Sequence, residues 1–332
     1  PFALAVDGAV RISARHLGLE LASGAEAYLL PCIAGHVGAD AAAMILSETP
    51  FERDEVSLLV DVGTNAELVL GNRERLLAAS SPTGPAFEGA QISSGQRAAP
   101  GAIERVRIDP NTLAPRFKII GSDLWSDEPD FEAAITATGI TGICGSGIIE
   151  AVAEMALSGI ITPEGAFPAD GGRRFVLYGG EPEIAVTQAD VRAVQLAKGA
   201  LYAGAKLLMD LFGVVCVDRI VLAGAFGSHI DPVYAMALGM IPDCDPACVS
   251  SAGNAAGTGA RIALLNAAAR TEIETVVKRV EKIETAVAPS FQKYFVDAMT
   301  IPHATDAYPN LRRILQIPLP KKSADQPRRR RQ

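Results

Sequence analysis

Asp61 closes a strand-like apolar run and is followed by Gly63, Thr64 and Asn65 before a second apolar run begins. One carboxylate, one glycine and two small hydrogen-bonding side chains at a bend between two strands are typical of a hairpin that offers donors to a phosphate. An ordinary hairpin turn has the same composition, so this bend alone leaves both interpretations open. A further apolar run enters another glycine-containing bend at residues 223–227. Two such junctions in one chain indicate a shared ligand, which we expect to be a nucleotide.

A third segment of small residues, Gly145, Ser146 and Gly147, leads directly into a helical pattern. The first N–H groups of a helix lack intrahelical partners and lie at the positive end of the helix dipole, so they attract anions. Tight packing of the helix on a neighbouring segment explains the same glycines equally well. Small side chains also fill residues 84–90 and 93–95, which can approach a ligand or another backbone closely.

The composition is that of a globular protein. The chain has 332 residues, of which 49% are hydrophobic and 20% are charged, enough to bury a large core in one large or two medium domains. The formal net charge of −8 argues against a nucleic-acid-binding surface, and the arginines at 328–331 are interpreted as a solvated tail. No apolar run is long enough to cross a bilayer, so we expect no membrane span.

The five cysteines are an odd number scattered through apolar sequence. This distribution is typical of reduced thiols in a cytoplasmic protein, so we expect no disulfides. Cys244 and Cys248 are not followed by a second cysteine pair, and the four histidines lie far apart in the sequence. A zinc or iron-sulfur site is therefore not expected in this chain.

Strand-like and helix-like segments alternate along the chain, which predicts an α/β fold. In chain order the predicted segments are a strand at 28–33, a helix at 37–46, two or three strands at 56–79, and helices at 148–157, 188–211, 261–269, 271–284 and 289–299. Thr187 and Asp190 form a capping-box pattern at the start of the longest helix. Gln195 and Lys198 lie at helical spacing along it, and Lys198 is interpreted as a solvated lysine unless a ligand contacts it.

These segments together resemble the C-terminal domain of the reductive activators of corrinoid proteins, members of the superfamily of acetate and sugar kinases, heat-shock chaperones and actin. The resemblance covers nearly the whole chain. It rests on Pro31 and on residues 37–40, 61–67, 84–90, 142–147, 223–227 and 253–260. It implies an actin-like α/β fold with two subdomains, of which the first is incomplete in this chain.

The resemblance also implies a division of the chain into four parts. Residues 1–54 would end the first actin-like subdomain, and residues 55–262 would form the second subdomain with the nucleotide-binding loops. Residues 263–317 would be C-terminal helices that return to the first subdomain, and residues 318–332 a basic tail.

In that superfamily ATP lies in a cleft between the two subdomains, so the resemblance implies a site for ATP and magnesium. Asp61 would be the catalytic residue and would hold magnesium through a bound water, while residues 63–65 supply donors to the phosphates. Residues 224–227 would form the adenosine-binding loop, and the helix that carries Gln195 and Lys198 would face the base. The implied nucleotide-binding residues are Gly63, Thr64, Asn65, Glu67, Gly145, Ser146, Gly147, Gln195, Lys198, Gly224, Ala225, Phe226 and Gly227.

Complete activators of this family resemble ferredoxins at their N-terminus, where a [2Fe-2S] cluster passes an electron to cobalt. Neither that cysteine cluster nor the family's first phosphate hairpin is present in this sequence, so we expect the chain to begin partway through the first subdomain. The resemblance implies a parent protein that uses ATP to reactivate a cobalamin-dependent methyltransferase from Co(II) to Co(I). The expected partner is that methyltransferase or its corrinoid protein. The chain alone is expected to bind ATP poorly and not to hydrolyse it.

Two other functions stay open on the sequence. A small-molecule kinase of the same superfamily would need an aspartate that deprotonates a substrate hydroxyl and a substrate pocket in the first subdomain, and the sequence identifies neither. A non-catalytic domain would use its glycine loops to dock a partner protein. The large apolar fraction is compatible with a homodimer.

Overall fold

The computed structural model describes residues 4–169, 172–227 and 229–317, so the tail expected at 318–332 lies outside the described residues. The strands are β1 (Val10–Ser13), β2 (Glu26–Leu29), β3 (Ser57–Val62), β4 (Ala66–Gly71), β5 (Leu76–Ser81), β6 (Ala102–Ile108), β7 (Pro115–Ile119), β8 (Gly142–Ile143), β9 (Arg174–Tyr178), β10 (Ile184–Thr187), β11 (Arg219–Ala223), β12 (Val249–Gly253) and β13 (Val280–Lys282). The helices are α1 (Ala39–Glu48), α2 (Phe131–Ala134), α3 (Gly145–Leu157), α4 (Gln188–Phe212), α5 (Gly224–Gly227), α6 (Pro232–Leu238), α7 (Ala255–Leu265), α8 (Ala267–Val277), α9 (Phe291–Asp297) and α10 (Leu311–Ile314). The predicted α/β class is confirmed.

A six-stranded sheet with the strand order β12-β11-β3-β4-β5-β13 forms the centre of the molecule. β3, β4 and β5 are an antiparallel meander, as the apolar runs and turns at 56–79 predict. β11 pairs in parallel with β3 and places Ala223 beside Asp61. Because parallel neighbours end at the same edge of a sheet, the turns that follow β3 and β11 lie side by side.

Side chains alternate between the two faces of the sheet, and helices cover each face. Leu58 and Val60 point into the larger core, which includes residues of α3, α4 and α6. Leu59 and Val221 point into a second core, which includes residues of α1, α7 and α8. β3 is thus buried from both sides, which explains its continuous apolar sequence.

The helices α1 and α7 cross with their backbones in contact. A Cβ atom on Gly259 would lie 1.9 Å from the carbonyl oxygen of Ala43, so no side chain fits at this crossing. The small residues predicted to allow tight packing around 253–260 do so here. The helix predicted at 37–46 is α1, whereas β2 overlaps the strand predicted at 28–33 only at its end, because β2 pairs with β1.

The segment between β5 and α4 carries a three-stranded sheet, β7-β6-β8, and the two-stranded ribbon β9-β10. Its loops are closely packed, since a Cβ atom on Gly95 would lie 2.1 Å from the carbonyl oxygen of Gly89. The small residues at 84–90 and 93–95 therefore approach another backbone. No helix of the described residues combines the length and the apolar character that a membrane span requires.

Capping side chains determine where several of the helices begin. The predicted capping box is confirmed at the start of α4, where the Asp190 carboxylate accepts the N–H of Thr187 at 2.8 Å and the Thr187 hydroxyl accepts the N–H of Asp190 at 3.3 Å. The helix predicted at 261–269 is instead parts of α7 and α8, because Asn254 caps the first and Asn266 caps the second. The charged helix predicted next ends with α8, and β13 follows as an edge strand beside β5.

Candidate nucleotide-binding site

The bend after β3 is the predicted hairpin. The N–H of Gly63 donates to the carbonyl oxygen of Asn65 at 3.1 Å, and the side chains of Thr64 and Asn65 are exposed at the tip. The chain after β5 holds the tip from behind, since the hydroxyl of Thr83 donates to the carbonyl oxygens of Gly63 at 2.9 Å and Thr64 at 3.0 Å. The N–H of Gly84 donates to the same Thr64 oxygen at 2.8 Å. This backing fixes the tip while its outer surface stays accessible.

Two carboxylates face each other across the hairpin, because Asp61 and Glu67 are paired in the register of β3 and β4. Partial burial raises the pKa of Asp61, and the nearby charge of Asp40 in the first turn of α1 adds to this effect. Burial raises the pKa of Glu67 to about 7, with further contributions from Asp40 and Asp61. A cation beside these carboxylates would relieve their repulsion.

A bound magnesium ion would need ligands beyond the protein. Within the described residues no group of three or more His, Cys, Asp or Glu side chains could hold a metal ion. Magnesium commonly keeps several waters and is bound through one or two carboxylates and the phosphates of its substrate. Asp61 fits that kind of site, in which a water lies between the carboxylate and the ion.

The glycine bend lies against Asp61. Gly224 has a φ of +88°, and a Cβ atom there would lie 2.7 Å from Oδ1 of Asp61. Gly227 packs on the end of β11, since its Cβ would lie 3.1 Å from the carbonyl oxygen of Leu222. The side chains of Ala225 and Phe226 lie outside the described part of the structure. The two bends are neighbours at one edge of the sheet.

A cavity of about 350 Å³ lies next to the hairpin, although none of its described lining residues belongs to 61–65 or 224–227. Its described lining residues come from six segments and are Phe87, Glu88, Arg97, Ala98, Glu104, Ile120, Cys144, Gly145, Ser146 and His229. Glu88 connects it to the hairpin, because the hydroxyl of Thr64 donates to Oε1 of Glu88 at 2.7 Å. His229 follows the glycine bend by two residues. The cavity therefore lies beside the predicted loops rather than between them.

Residues at the start of α3 have two different roles, since some line the cavity and one packs against β6. Gly145 and Ser146 line the cavity, and Cys144 makes no side-chain cap to the helix. A Cβ atom on Gly147 would lie 2.2 Å from the carbonyl oxygen of Ile103, so Gly147 serves the packing of α3 on β6. Of the two interpretations of this segment, packing accounts for Gly147, whereas Gly145 and Ser146 are buried in the cavity wall and their binding of an anion stays a prediction.

Gln195 and Lys198 lie apart from these loops, in the interior of the protein. Nε2 of Gln195 donates to the carbonyl oxygen of Met299 at 2.7 Å, and Nζ of Lys198 donates to those of Thr300 at 2.5 Å and Pro302 at 2.8 Å. Lys198 is fully buried, which lowers its pKa well below the usual value. The expectation of a solvated lysine is wrong, and the polar atoms of both side chains are engaged with the C-terminal segment.

Sequence reasoning missed four charged or titratable residues of the cavity: Glu88, Arg97, Glu104 and His229. Glu88 lies in the small-residue stretch 84–90, which is expected to approach a ligand or another backbone, so the sequence did indicate this segment. Arg97 and His229 carry no local pattern, because only the packing of distant loops brings them to the same cavity.

Family comparisons agree with this architecture. The model of the C-terminal domain of RACo, the ASKHA domain, matches residues 55–312, and the model of the RACo middle region matches residues 1–50. The corrinoid activation enzyme RamQ of Eubacterium limosum is 34% identical over 296 residues, which cover 81% of this chain and 46% of the relative. The [Co(II) methylated amine-specific corrinoid protein] reductase of Methanosarcina barkeri is 30% identical over 303 residues, covering 87% and 54%.

A solved structure is also similar to this chain. The reductive activator for corrinoid,iron-sulfur protein superposes with a TM-score of 0.77 at 32% identity, over 89% of this chain and 47% of that one. The chain thus spans about half the length of its relatives. The actin-like fold and the resemblance to reductive activators are confirmed, and the chain belongs to the family of the RACo C-terminal ASKHA domain.

Proposed function

We propose that this chain is the ATP-binding domain of a reductive activator that uses ATP to return the corrinoid of a methyltransferase from Co(II) to Co(I). The names of its relatives, a corrinoid activation enzyme and a Co(II) corrinoid protein reductase, support this assignment. The observation that carries it is the placement of the Asp61 hairpin beside Gly224, next to a cavity that Gly145 and Ser146 line. A carboxylate-bearing hairpin and a helix start beside one cavity suit a nucleotide with its phosphates.

Each segment has a distinct part in the proposed site. The exposed tip donates hydrogen bonds to phosphate oxygens from its backbone and from the Asn65 amide, since the Thr64 hydroxyl donates to Glu88. The start of α3 adds N–H groups and the positive end of its dipole. Asp61 would hold, through a water, the magnesium ion that accompanies ATP, and the positive charge there would reduce the repulsion between Asp61 and Asp40. Gly224 lets the backbone pass next to that carboxylate.

The proposal extends to the longer protein. A [2Fe-2S] cluster in the parent protein, outside this chain, supplies the electron, and the corrinoid protein or methyltransferase is the partner. The nucleotide state of this domain favours one arrangement of that complex over another. We place the protein in the cytoplasm and expect it to act as a homodimer.

Capture of a corrinoid protein on the immobilised chain, with and without Mg–ATP, tests the proposal. We expect capture to depend on nucleotide and the dependence to disappear in Asp61→Asn. The control Asp130→Asn changes an exposed aspartate that makes no side-chain cap, and it should behave as the unaltered chain does. Equal capture with and without nucleotide would favour an interaction domain, and transfer of phosphate to a small molecule would favour a kinase.

A further inference from the structure

We infer that Arg97 is a phosphate-binding residue of the nucleotide site. The inference rests on the proposed function and adds a residue to it. Arg97 lines the cavity that adjoins the hairpin, and it is the one Lys or Arg side chain among the described residues of that lining. It is exposed, and within the described part of the chain it makes no hydrogen bond or ion pair. An arginine in a cavity wall without an internal partner has its five donors available for a ligand.

The loop that carries Arg97 is held firmly on both sides. The N–H of Gln96 donates to the carbonyl oxygen of Ile143 at 2.9 Å, and Nε2 of Gln96 donates to the hydroxyl of Thr141 at 2.9 Å. A Cβ atom on Gly89 would lie 2.6 Å from the carbonyl oxygen of Gln96, so the backbone also packs on the loop of Glu88. This packing fixes the position of the Arg97 backbone before a ligand arrives, which lowers the entropy cost of binding.

The charges around the cavity explain why a cation is needed there. Glu88 and Glu104 also line it, and their carboxylates repel a polyphosphate. The guanidinium of Arg97 opposes that repulsion and can bind two phosphate oxygens at once, a geometry that lysine does not reproduce. Magnesium with the nucleotide supplies the remaining positive charge, so we expect binding of Mg–ATP rather than of free ATP.

The test compares Arg97→Gln with a matched control, Arg192→Gln, which removes the same charge from an exposed position on α4 outside the cavity. Ligand-observed NMR titrations, which suit weak affinities, give the dissociation constants of Mg–ATP and of adenosine for each variant. We expect Arg97→Gln to weaken the binding of Mg–ATP by about 10- to 100-fold, because one charged hydrogen-bonding partner is lost. The affinity for adenosine should not change. The affinity of Arg97→Lys for Mg–ATP should lie between those of the unaltered chain and Arg97→Gln.

Each outcome bears on the inference. An equal loss of affinity for adenosine would overturn it, because adenosine has no phosphate. The same loss of Mg–ATP affinity in Arg192→Gln would also overturn it, because Arg192 lies outside the cavity. Unaltered Mg–ATP binding in Arg97→Gln would overturn the inference and leave the proposed function intact. Failure of the unaltered chain to bind Mg–ATP at millimolar concentration would overturn both. A melting temperature equal to that of the unaltered chain checks that the variants are folded.

Discussion

The backbone of Gly224 lies directly against the carboxylate of Asp61, with room for a hydrogen atom but not for a methyl group. We therefore expect Gly224→Ala to displace Asp61 and to weaken Mg–ATP binding at least tenfold. Stability should fall by more than the ~1–2 kcal/mol that a left-handed backbone costs an alanine. Gly213→Ala is the control, because Gly213 has nearly the same φ, +90°, with no atom within 4 Å of its Cβ position. Equal effects of the two variants on urea denaturation would contradict the steric explanation.

The hydrogen bond from Thr64 to Glu88 couples the hairpin to the cavity. We expect Thr64→Val to weaken Mg–ATP binding, and to do so less in a Glu88→Gln background, because the acceptor of the Thr64 hydroxyl has there already lost its charge. Stability should change by less than ~0.5 kcal/mol, since both side chains are exposed. The measurement is a double-mutant cycle of dissociation constants. Additive losses would mean that the two residues act independently.

The raised pKa of Glu67 makes part of the stability depend on pH. Burial raises its pKa from about 4.5 to about 7, so the folded chain keeps a proton that the unfolded chain has already lost. The stability from this group is complete below about pH 4.5 and is lost as the pH rises to about 7. Glu67→Gln should be less sensitive to pH over this interval than the unaltered chain in urea denaturation. Glu272→Gln, an exposed position on α8, is the control and should leave the pH profile unchanged.

The buried Lys198 stabilises the segment that follows α9. Lys198→Met leaves the carbonyl oxygens of Thr300 and Pro302 without their donor, which should destabilise the fold by about 2–4 kcal/mol. Lys206→Met, a half-buried lysine on the same helix paired with Asp210, should cost less than ~1 kcal/mol. Hydrogen exchange of the 299–303 amides gives a local measure. Unchanged protection there in Lys198→Met would contradict the role of this lysine.

The chain by itself should bind Mg–ATP weakly and release no phosphate. Its sequence has one acidic phosphate hairpin, whereas the superfamily it resembles uses two, and each missing charge-assisted hydrogen bond removes about 1.5–3 kcal/mol. A phosphate-release assay with the Asp61→Asn variant as the blank measures this directly. Micromolar affinity together with turnover would contradict the prediction.

Local patterns predicted the hairpin, the glycine bend and the capping box of α4, because each depends on a few adjacent residues. The parallel pairing that puts Ala223 beside Asp61 is not local, yet two glycine bends after apolar strands were enough to suggest a shared ligand. The two bends lie side by side on neighbouring strands.

The positions of Arg97 and Lys198 could not be predicted from local sequence patterns, because both depend on contacts between distant segments. Arg97 reaches the cavity through contacts between segments that are far apart in sequence, and no local periodicity reports such contacts. The burial of Lys198 depends on residues 299–302, about a hundred positions further along the chain. Helix periodicity indicates which residues share a face of α4, but it does not indicate which segment covers that face.

The crossing of α1 and α7 at Ala43 and Gly259 limits how the N-terminal part of the chain can move. The two helices are packed closely along their lengths. They cannot slide along each other by a helical turn, because sliding would force the neighbouring side chains into a gap that admits none. A rearrangement in this part of the fold is therefore expected to move α1 and α7 together.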